Sequence, residues 1–195
     1  KALPSFAQNR SMTAMTQLPT LFLDRDGVIN QRTPGDYVRT PETFVPTERL
    51  PEAMRMLAEY FGRIFVVTNQ AGIGKGLMTE QDLALVHQKM LDLAASAGGR
   101  IDGVYYCPHQ KDAGCPCRKP ATGMAWQALA QFPDIDFENA WLVGDSASDI
   151  RFGQALGMHT ALISGKQEEL EELAAMKIDF RFDSLFQFAC FIANC

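Results

Sequence analysis

The chain has 195 residues, of which 47% are hydrophobic and 21% charged, a balance typical of one globular domain with a buried core. Its net charge of -5 argues against a nucleic-acid-binding surface, which usually carries a basic patch. No segment approaches the ~20 consecutive apolar residues of a membrane helix. The odd number of cysteines, five, with three between positions 107 and 117, favours a reduced, cytoplasmic protein with a metal site over a disulfide framework.

Residues 1–19 mix polar and scattered apolar residues, and we predict a poorly ordered tail there, followed by a single domain over residues 20–195. Within that domain, short apolar runs alternate with segments of helical periodicity. Because the short runs are apolar throughout, they indicate strands buried on both faces of a parallel sheet. The predicted strands cover residues 21–23, 64–67, 104–106, 141–143 and 160–163. The predicted helices cover residues 51–60, 79–93, 123–131, 148–156, 167–176 and 185–192.

This alternation predicts an open, Rossmann-like α/β fold, with a parallel sheet and helices on both faces. In such folds, ligands bind beyond the carboxyl ends of the strands. Polar residues follow four of the predicted strands at this point: Asp24 and Asp26, then Thr68, Asn69 and Gln70, then Cys107 and His109, then Asp145. The irregular stretch 30–46 is predicted to be a loop over the same edge. We therefore expect one site at the carboxyl edge of the sheet.

The pair Asp24 and Asp26 is the first candidate for chemistry. Residues two apart in an extended segment point to the same side, so both carboxylates can reach one cleft. With Asp145, three carboxylates would meet, and their repulsion calls for a divalent cation, Mg²⁺ for hard oxygen ligands. Taken alone, Asp-x-Asp-Gly is more often a turn or a helix cap, because Asp and Gly favour turns.

Four motifs in order resemble those of the haloacid dehalogenase (HAD) superfamily of phosphatases. They are residues 21–30, Thr68-Asn69-Gln70, Lys119, and the segment 144–149. The resemblance implies a magnesium-dependent phosphatase that forms a covalent phospho-aspartate. Four ordered motifs are more specific than any one of them.

The resemblance also implies a role for each matching residue. Asp24 would be the nucleophile, and Asp26 would protonate the leaving oxygen and then activate water. Thr68 and Asn69 would donate hydrogen bonds to the phosphoryl oxygens, and Lys119 would neutralise their charge.

The implied metal and substrate contacts complete the site. Mg²⁺ would be held by Asp24, Asp145 and the backbone carbonyl of Asp26, with Asp149 a weaker candidate behind them. Gln70 is included with Asn69 among the residues expected to bind substrate.

A second metal site is predicted from the cysteines. Cys107-Pro108-His109 and Cys115-Pro116-Cys117 supply three thiolates and one imidazole, a full tetrahedral set for structural zinc. The alternative is a chance cluster or a redox pair. A zinc ion there would order the loop between Cys107 and Cys117. Because Arg118 and Lys119 follow that loop directly, the ion would also fix the position of Lys119.

The zinc loop and the segments 35–38 and 68–76 narrow the resemblance to the D-glycero-D-manno-heptose-1,7-bisphosphate 7-phosphatases. Histidinol-phosphate phosphatase domains carry a related loop. In both groups a large cap domain is absent, and Arg118 would recognise the substrate beyond the scissile phosphate.

Several functions stay open at this point. The favoured one is hydrolysis of a small phosphorylated metabolite, a heptose bisphosphate, by a monomer that binds neither nucleic acid nor membrane; histidinol phosphate is the rival substrate. A phosphoacceptor switch would combine similar residues, although its acceptor aspartate would follow the third strand, where this chain has Cys107. A zinc-bearing interaction module with vestigial catalytic residues is the third possibility.

Overall fold

The structure, a computed structural model, describes residues 18–33, 35–165 and 167–194. The predicted tail falls almost wholly outside this part of the chain. The strands are β1 (Thr20–Leu23), β2 (Arg63–Asn69), β3 (Gly103–Cys107), β4 (Trp141–Gly144), β5 (His159–Ile163) and β6 (Phe180–Phe182). The helices are α1 (Leu50–Tyr60), α2 (Glu80–Ala95), α3 (Gly123–Gln131), α4 (Ala147–Ala155), α5 (Leu170–Ala175) and α6 (Leu185–Ala193).

The strands form one six-stranded sheet in the order β3-β2-β1-β4-β5-β6, and every neighbouring pair is parallel. The predicted α/β class and parallel sheet are therefore confirmed. The chain order reverses at β1, which lies between β2 and β4, and this is where open α/β sheets form their ligand crevice. Strand β6 was not predicted, because it is three residues long, lies at an edge, and has only partly buried phenylalanines around an exposed Arg181.

Side chains of β1 alternate between two hydrophobic cores, one on each face of the sheet. Leu21 and Leu23 belong to the core that α1, α2 and α6 cover. Phe22 points the other way, into the core that α3 and α4 cover, where its ring lies 5.4 Å from that of Phe65. Because both faces are covered, the buried strands are apolar throughout, which is the pattern that identified them in the sequence.

The loop between β1 and α1 follows the carboxyl edge of the sheet. Its two ends are joined by a bridge between Asn30 and Pro46 and by a hydrogen bond from the Gln31 amide to the Val45 carbonyl (2.8 Å). Across the described ranges, strands are connected by loops and helices rather than by an inserted cap domain. Among the same residues, no helix combines the length and apolar character needed to cross a membrane.

Candidate active site

Two neighbouring strands bring the first carboxylates together. Asp24 follows β1 and Asp145 follows β4, and the amide of Asp24 donates to the carbonyl of Val143 on the adjacent strand (2.9 Å). A carboxylate oxygen from each of Asp24, Asp145 and Asp149 lies within 4.8 Å of the others, and all three residues are buried. The sequence predicted that Asp24, Asp26 and Asp145 would meet; Asp24 and Asp145 do, whereas the third carboxylate of the cluster is that of Asp149 and not that of Asp26.

Two glycines allow this close approach. A Cβ atom on Gly27 would lie 1.9 Å from Asp145 Oδ2, and the φ of +97° at Gly27 is itself unfavourable for any side chain. A Cβ atom on Gly144 would lie 2.2 Å from Cβ of Asp149. The glycines of Asp-x-Asp-Gly and Gly-Asp thus provide the space in which the aspartates meet.

Asp149 is oriented by the start of helix α4. Ser146 is the residue that caps this helix, and Asp149 Oδ2 accepts hydrogen bonds from its amide (3.0 Å) and its hydroxyl (2.6 Å). This reciprocal arrangement is a capping box, which stabilises the first turn of a helix. With Oδ2 engaged in the cap, Oδ1 faces the cluster and lies 2.6 Å from Nζ of Lys119.

Lys119 is the cation at the centre of the cluster. Its side chain is 1% exposed, and Nζ lies 2.7 Å from Asp24 Oδ1, 2.6 Å from Asp149 Oδ1 and 2.6 Å from the carbonyl of Val67. Burial opposes its charge, but the attraction of Asp149 and Asp24 prevails and raises its pKa. Lys119 is therefore a permanent positive charge between two carboxylates.

The backbone of Lys119 is clamped by Asn69 at the end of β2. Oδ1 of Asn69 accepts from the Lys119 amide (3.0 Å), and Nδ2 donates to the Lys119 carbonyl (3.2 Å). The predicted hydrogen bond from Asn69 to a phosphoryl oxygen stays a prediction, while the observed contacts of its side chain are with the backbone of Lys119. Its observed role is to position Lys119.

The carboxylate of Asp26 is turned aside from the cluster. Nη2 of Arg25 donates to both of its oxygens (2.9 Å each), Asn30 Nδ2 donates to Oδ1 (3.0 Å), and Gln70 Nε2 donates to Oδ2 (2.8 Å). Burial opposes ionisation of Asp26, but the charge of Arg25 and these hydrogen bonds together lower its pKa. Arg25 is fully buried, and its other amino group lies 3.5 Å from Nε2 of His87.

Gln70 and Thr68 lie beneath the cluster. Gln70 is fully buried, and Nε2 donates to Thr68 Oγ1 (2.9 Å) as well as to Asp26. Gln70 thus links Asp26 to Thr68. Thr68 accepts from Gln70 and can still donate its hydroxyl hydrogen.

Nearby positive charge does not fully offset the burial and mutual repulsion of the clustered carboxylates, so the pKa values of two of them are raised. Burial, followed by repulsion from Asp24 and Asp149, raises the pKa of Asp145 to about 7. Burial also raises the pKa of Asp24, to about 6, although Lys119 acts against it. Hard carboxylate oxygens with raised pKa values are suitable ligands for a divalent ion such as Mg²⁺, so the residues present fit the predicted metal.

The four predicted zinc ligands are also brought together. Cys107 Sγ lies 3.4 Å from Cys115 Sγ and 3.6 Å from Nδ1 of His109, and Cys117 Sγ lies 3.3 Å from Nδ1 and 3.5 Å from Cys115 Sγ. Zinc bonds of about 2.3 Å to sulfur and 2.0–2.1 Å to nitrogen give tetrahedral edges of roughly 3.6–3.8 Å. The set therefore fits zinc with little movement.

The thiols of this cluster already differ in acidity. Burial is the main factor that raises the pKa of Cys107, to about 12. Burial also acts on Cys115, but hydrogen bonds from Cys107 and Cys117 together outweigh it and lower its pKa to about 6. Zinc binds cysteine as the thiolate, so a bound ion would favour the deprotonated form of all three thiols.

The cysteine–histidine loop is joined to the active-site loops around it. Nη1 of Arg118 donates to the His109 carbonyl (3.3 Å), and the Gly74 amide donates to the Pro108 carbonyl (2.9 Å). A Cβ atom on Gly74 would lie only 2.7 Å from that carbonyl. The loop after β2 and the cysteine–histidine loop therefore pack tightly against each other.

The sequence did not predict the contacts that three residues, Arg25, Asn30 and Arg32, make with Asp26 and Asp145. Nε and Nη2 of Arg32 pair with the Asp145 carboxylate, and Asn30 holds Asp26 while fully buried. Asn30 lies inside the first motif and could have been suspected as a buried amide. Arg32 lies in an irregular loop, where no periodicity or spacing predicts its direction.

Comparison with known proteins places this geometry in a family. A family model described as HAD-hydrolase-like matches residues 116–187. A D-glycero-beta-D-manno-heptose-1,7-bisphosphate 7-phosphatase of Pseudomonas putida is 37% identical over 166 residues, covering 85% of this chain and 94% of the relative. A D-glycero-alpha-D-manno-heptose-1,7-bisphosphate 7-phosphatase of Mycobacterium tuberculosis is also 37% identical, covering 89% of this chain and 91% of its own.

Solved structures agree with these relatives. The D,D-heptose 1,7-bisphosphate phosphatase of B. bronchiseptica, complexed with magnesium and phosphate, superimposes with a TM-score of 0.83 at 28% identity, over 91% of this chain and 99% of that one. The corresponding phosphatase of Burkholderia thailandensis gives a TM-score of 0.67 at 31% identity, with the same coverage.

The clamp on Lys119 can be tested by removing the Asn69 side chain. We expect Asn69→Ala to lower the free energy of unfolding by about 1–3 kcal/mol, because the amide and carbonyl of a buried residue lose their partners. Urea denaturation with and without the substitution measures this. Asn139→Ala, at an exposed position, is the control and should change stability by no more than about 0.5 kcal/mol. Equal effects of the two substitutions would contradict the clamp.

Proposed function

Because the chain belongs to the HAD-like hydrolases and, within them, to the heptose-1,7-bisphosphate 7-phosphatase family, it is a phosphatase, and we propose that it hydrolyses the 7-phosphate of D-glycero-D-manno-heptose 1,7-bisphosphate. Its relatives act on this substrate by name. The similarity also extends over almost the whole length of these relatives. It therefore supports the heptose bisphosphate as the substrate more strongly than histidinol phosphate. A magnesium-dependent reaction through an aspartyl phosphate is part of the proposal.

One observation carries the proposal. A buried lysine lies between Asp24 and Asp149 beside Asp145, at the switch point of a parallel sheet. In phosphoryl transfer the protein contributes mainly by positioning the reacting groups and by stabilising the negative charge of the transferred phosphoryl group. A fixed cation and a set of carboxylates able to hold a divalent ion meet both needs.

In the first step, an oxygen of Asp24 attacks the phosphorus and the bond from phosphorus to the sugar oxygen breaks. Asp26 donates a proton to that departing oxygen, so the products are the sugar alcohol and an aspartyl phosphate. In the second step, Asp26 takes a proton from water, whose oxygen attacks phosphorus and releases inorganic phosphate and free Asp24. The contacts that lower the pKa of Asp26 favour the carboxylate that this second step needs, whereas the first step draws on the protonated form, which the same contacts disfavour.

The other residues stabilise the transferred group. Lys119 and the hydroxyl of Thr68 would contact the phosphoryl oxygens, where negative charge accumulates. Asp24, Asp145 and the backbone carbonyl of Asp26 would hold Mg²⁺, which when bound offsets the charge of the phosphate and of its own ligands.

We further propose that Cys107, His109, Cys115 and Cys117 hold a structural zinc ion. Four protein ligands leave no open position, so the ion would order the loop rather than take part in the reaction. Arg118 and Lys119 follow the last ligand directly in the chain. A fixed loop would therefore present Arg118 to the distal part of the substrate and Lys119 to the scissile phosphate.

The nucleophile is tested by Asp24→Asn. We expect phosphate release from the heptose bisphosphate in Mg²⁺ to fall by more than about 10³-fold, because an amide cannot form the covalent intermediate. The matched control is Asp36→Asn, at an exposed carboxylate paired with Arg39, which should keep the parent rate. An Asp24→Asn enzyme as fast as the parent would refute the mechanism.

A substrate panel run alongside separates the candidate functions. Both anomers of the heptose bisphosphate, heptose 7-phosphate and histidinol phosphate should be compared by their values of kcat/KM. The proposal requires that a heptose bisphosphate be preferred. A preference for histidinol phosphate would overturn the substrate and leave the chemistry in place.

The zinc site is tested by Cys115→Ser. We expect bound zinc, measured by mass spectrometry of the native protein, to fall from one equivalent to a small fraction, and activity to fall with it as the loop before Lys119 loosens. Cys190→Ser, in helix α6, is the control and should keep full zinc. Parent protein without zinc, or Cys115→Ser protein with a full equivalent, would contradict the proposal.

A further inference from the structure

Arg32 makes the closest contacts that the proposed magnesium ligands have with any cation in the described residues other than Lys119. Its Nη2 lies 2.5 Å and 2.7 Å from the two carboxylate oxygens of Asp145 and 3.1 Å from the backbone carbonyl of Asp26. Its Nε lies 3.0 Å from Asp145 Oδ2. The guanidinium is thus a bidentate partner of Asp145 that also reaches a carbonyl oxygen.

These oxygens are the ones that the proposed function assigns to Mg²⁺. A magnesium ion binds oxygen at about 2.0–2.1 Å and demands near-octahedral geometry. An ion bonded to Asp145 and to the Asp26 carbonyl would fall within contact distance of Nη2 of Arg32. The ion and the guanidinium are both positively charged and would repel each other. The guanidinium and the ion therefore exclude each other.

The charges of the site lead to the same conclusion. The site contains more carboxylates than buried cations: Asp24, Asp26, Asp145 and Asp149 against Arg25 and Lys119. The remaining two negative charges match one Mg²⁺ ion. Without the ion, Arg32 is the group that offsets part of this excess, and with the ion its charge is no longer needed there.

The side chain of Arg32 can move away from Asp145 without a change in the backbone. Its side chain is 35% exposed, whereas that of Asp145 is 6% exposed. The preceding residue, Gln31, is tied to Val45 through its amide, so the guanidinium can swing into solvent while the backbone stays in place. Long arginine side chains reach solvent readily in this way.

We propose that Arg32 is a positioning residue that holds Asp145 in place of the metal and is displaced when Mg²⁺ binds. This inference rests on the proposed function, because it takes the Asp145 site to be the magnesium site. Arg32 keeps the buried carboxylate oriented in the metal-free protein, and breaking its ion pair is part of the work of metal binding. We therefore expect the affinity for Mg²⁺ to be weaker than it would be without this ion pair.

The test is calorimetric titration of Mg²⁺ into zinc-loaded protein at pH 8, without substrate. We expect Arg32→Gln to lower the Kd for Mg²⁺ by about two- to fivefold, the upper part of the range for loss of a partly exposed ion pair. It should also lower the melting temperature of the metal-free protein more than that of the magnesium-bound protein. Arg32→Lys, which keeps the charge without the bidentate geometry, should lie between Arg32→Gln and the parent.

Two further variants make the outcome decisive. Arg39→Gln removes an exposed ion pair from the same loop and should leave the Kd unchanged, and Asp145→Asn should abolish binding. If Asp145→Asn abolishes binding while Arg32→Gln leaves the Kd unchanged or raises it, the role of Arg32 is refuted and the metal site stands. If Asp145→Asn binds Mg²⁺ like the parent, the site lies elsewhere and both proposals fail.

Discussion

Repulsion between buried carboxylates is the constraint on which the rest of the structure depends. Asp24, Asp145 and Asp149 meet within 4.8 Å at the end of two neighbouring strands, where little water screens their charges. Lys119 makes this arrangement possible by placing Nζ between Asp24 and Asp149. Two observed sets of contacts hold Lys119 there, those of Asn69 with its backbone and that of the Val67 carbonyl with its Nζ. A phosphatase gains from this because the same positive charge can receive a phosphoryl group.

Much of the fold was predictable because its signals are local. Strands buried on both faces are apolar throughout, and this identified β1 to β5. The helix predicted over residues 79–93 matches α2, whose start is stabilised by a capping box of Thr79 and Asp82. The edge strand β6 lacks such a signal, because half-buried phenylalanines beside Arg181 also fit a loop. Its place in the sheet is decided by its pairing with β5, which is a long-range contact that no local pattern reveals.

The sequence predicted which residues lie at the site better than it predicted which partners their side chains contact. The order of motifs located Asp24, Asp145, Lys119 and the four cysteine–histidine ligands at one edge of the sheet, because parallel strands end together. The contacts that the side chains of Asn69 and Gln70 make with Lys119 and Asp26 were not predicted. Which way an amide turns depends on partners that are distant in sequence.

The central claim is that Asp24 receives the phosphoryl group beside Lys119 and the bound ion. The most direct measurement is a crystal structure of the protein with Mg²⁺ and beryllofluoride, which mimics a phosphoryl group on a carboxylate. We predict a beryllofluoride adduct on Asp24, a fluorine atom in contact with Nζ of Lys119, and the ion bound by Asp24, Asp145 and the Asp26 carbonyl. An adduct on another aspartate, or an ion away from Asp145, would contradict the account.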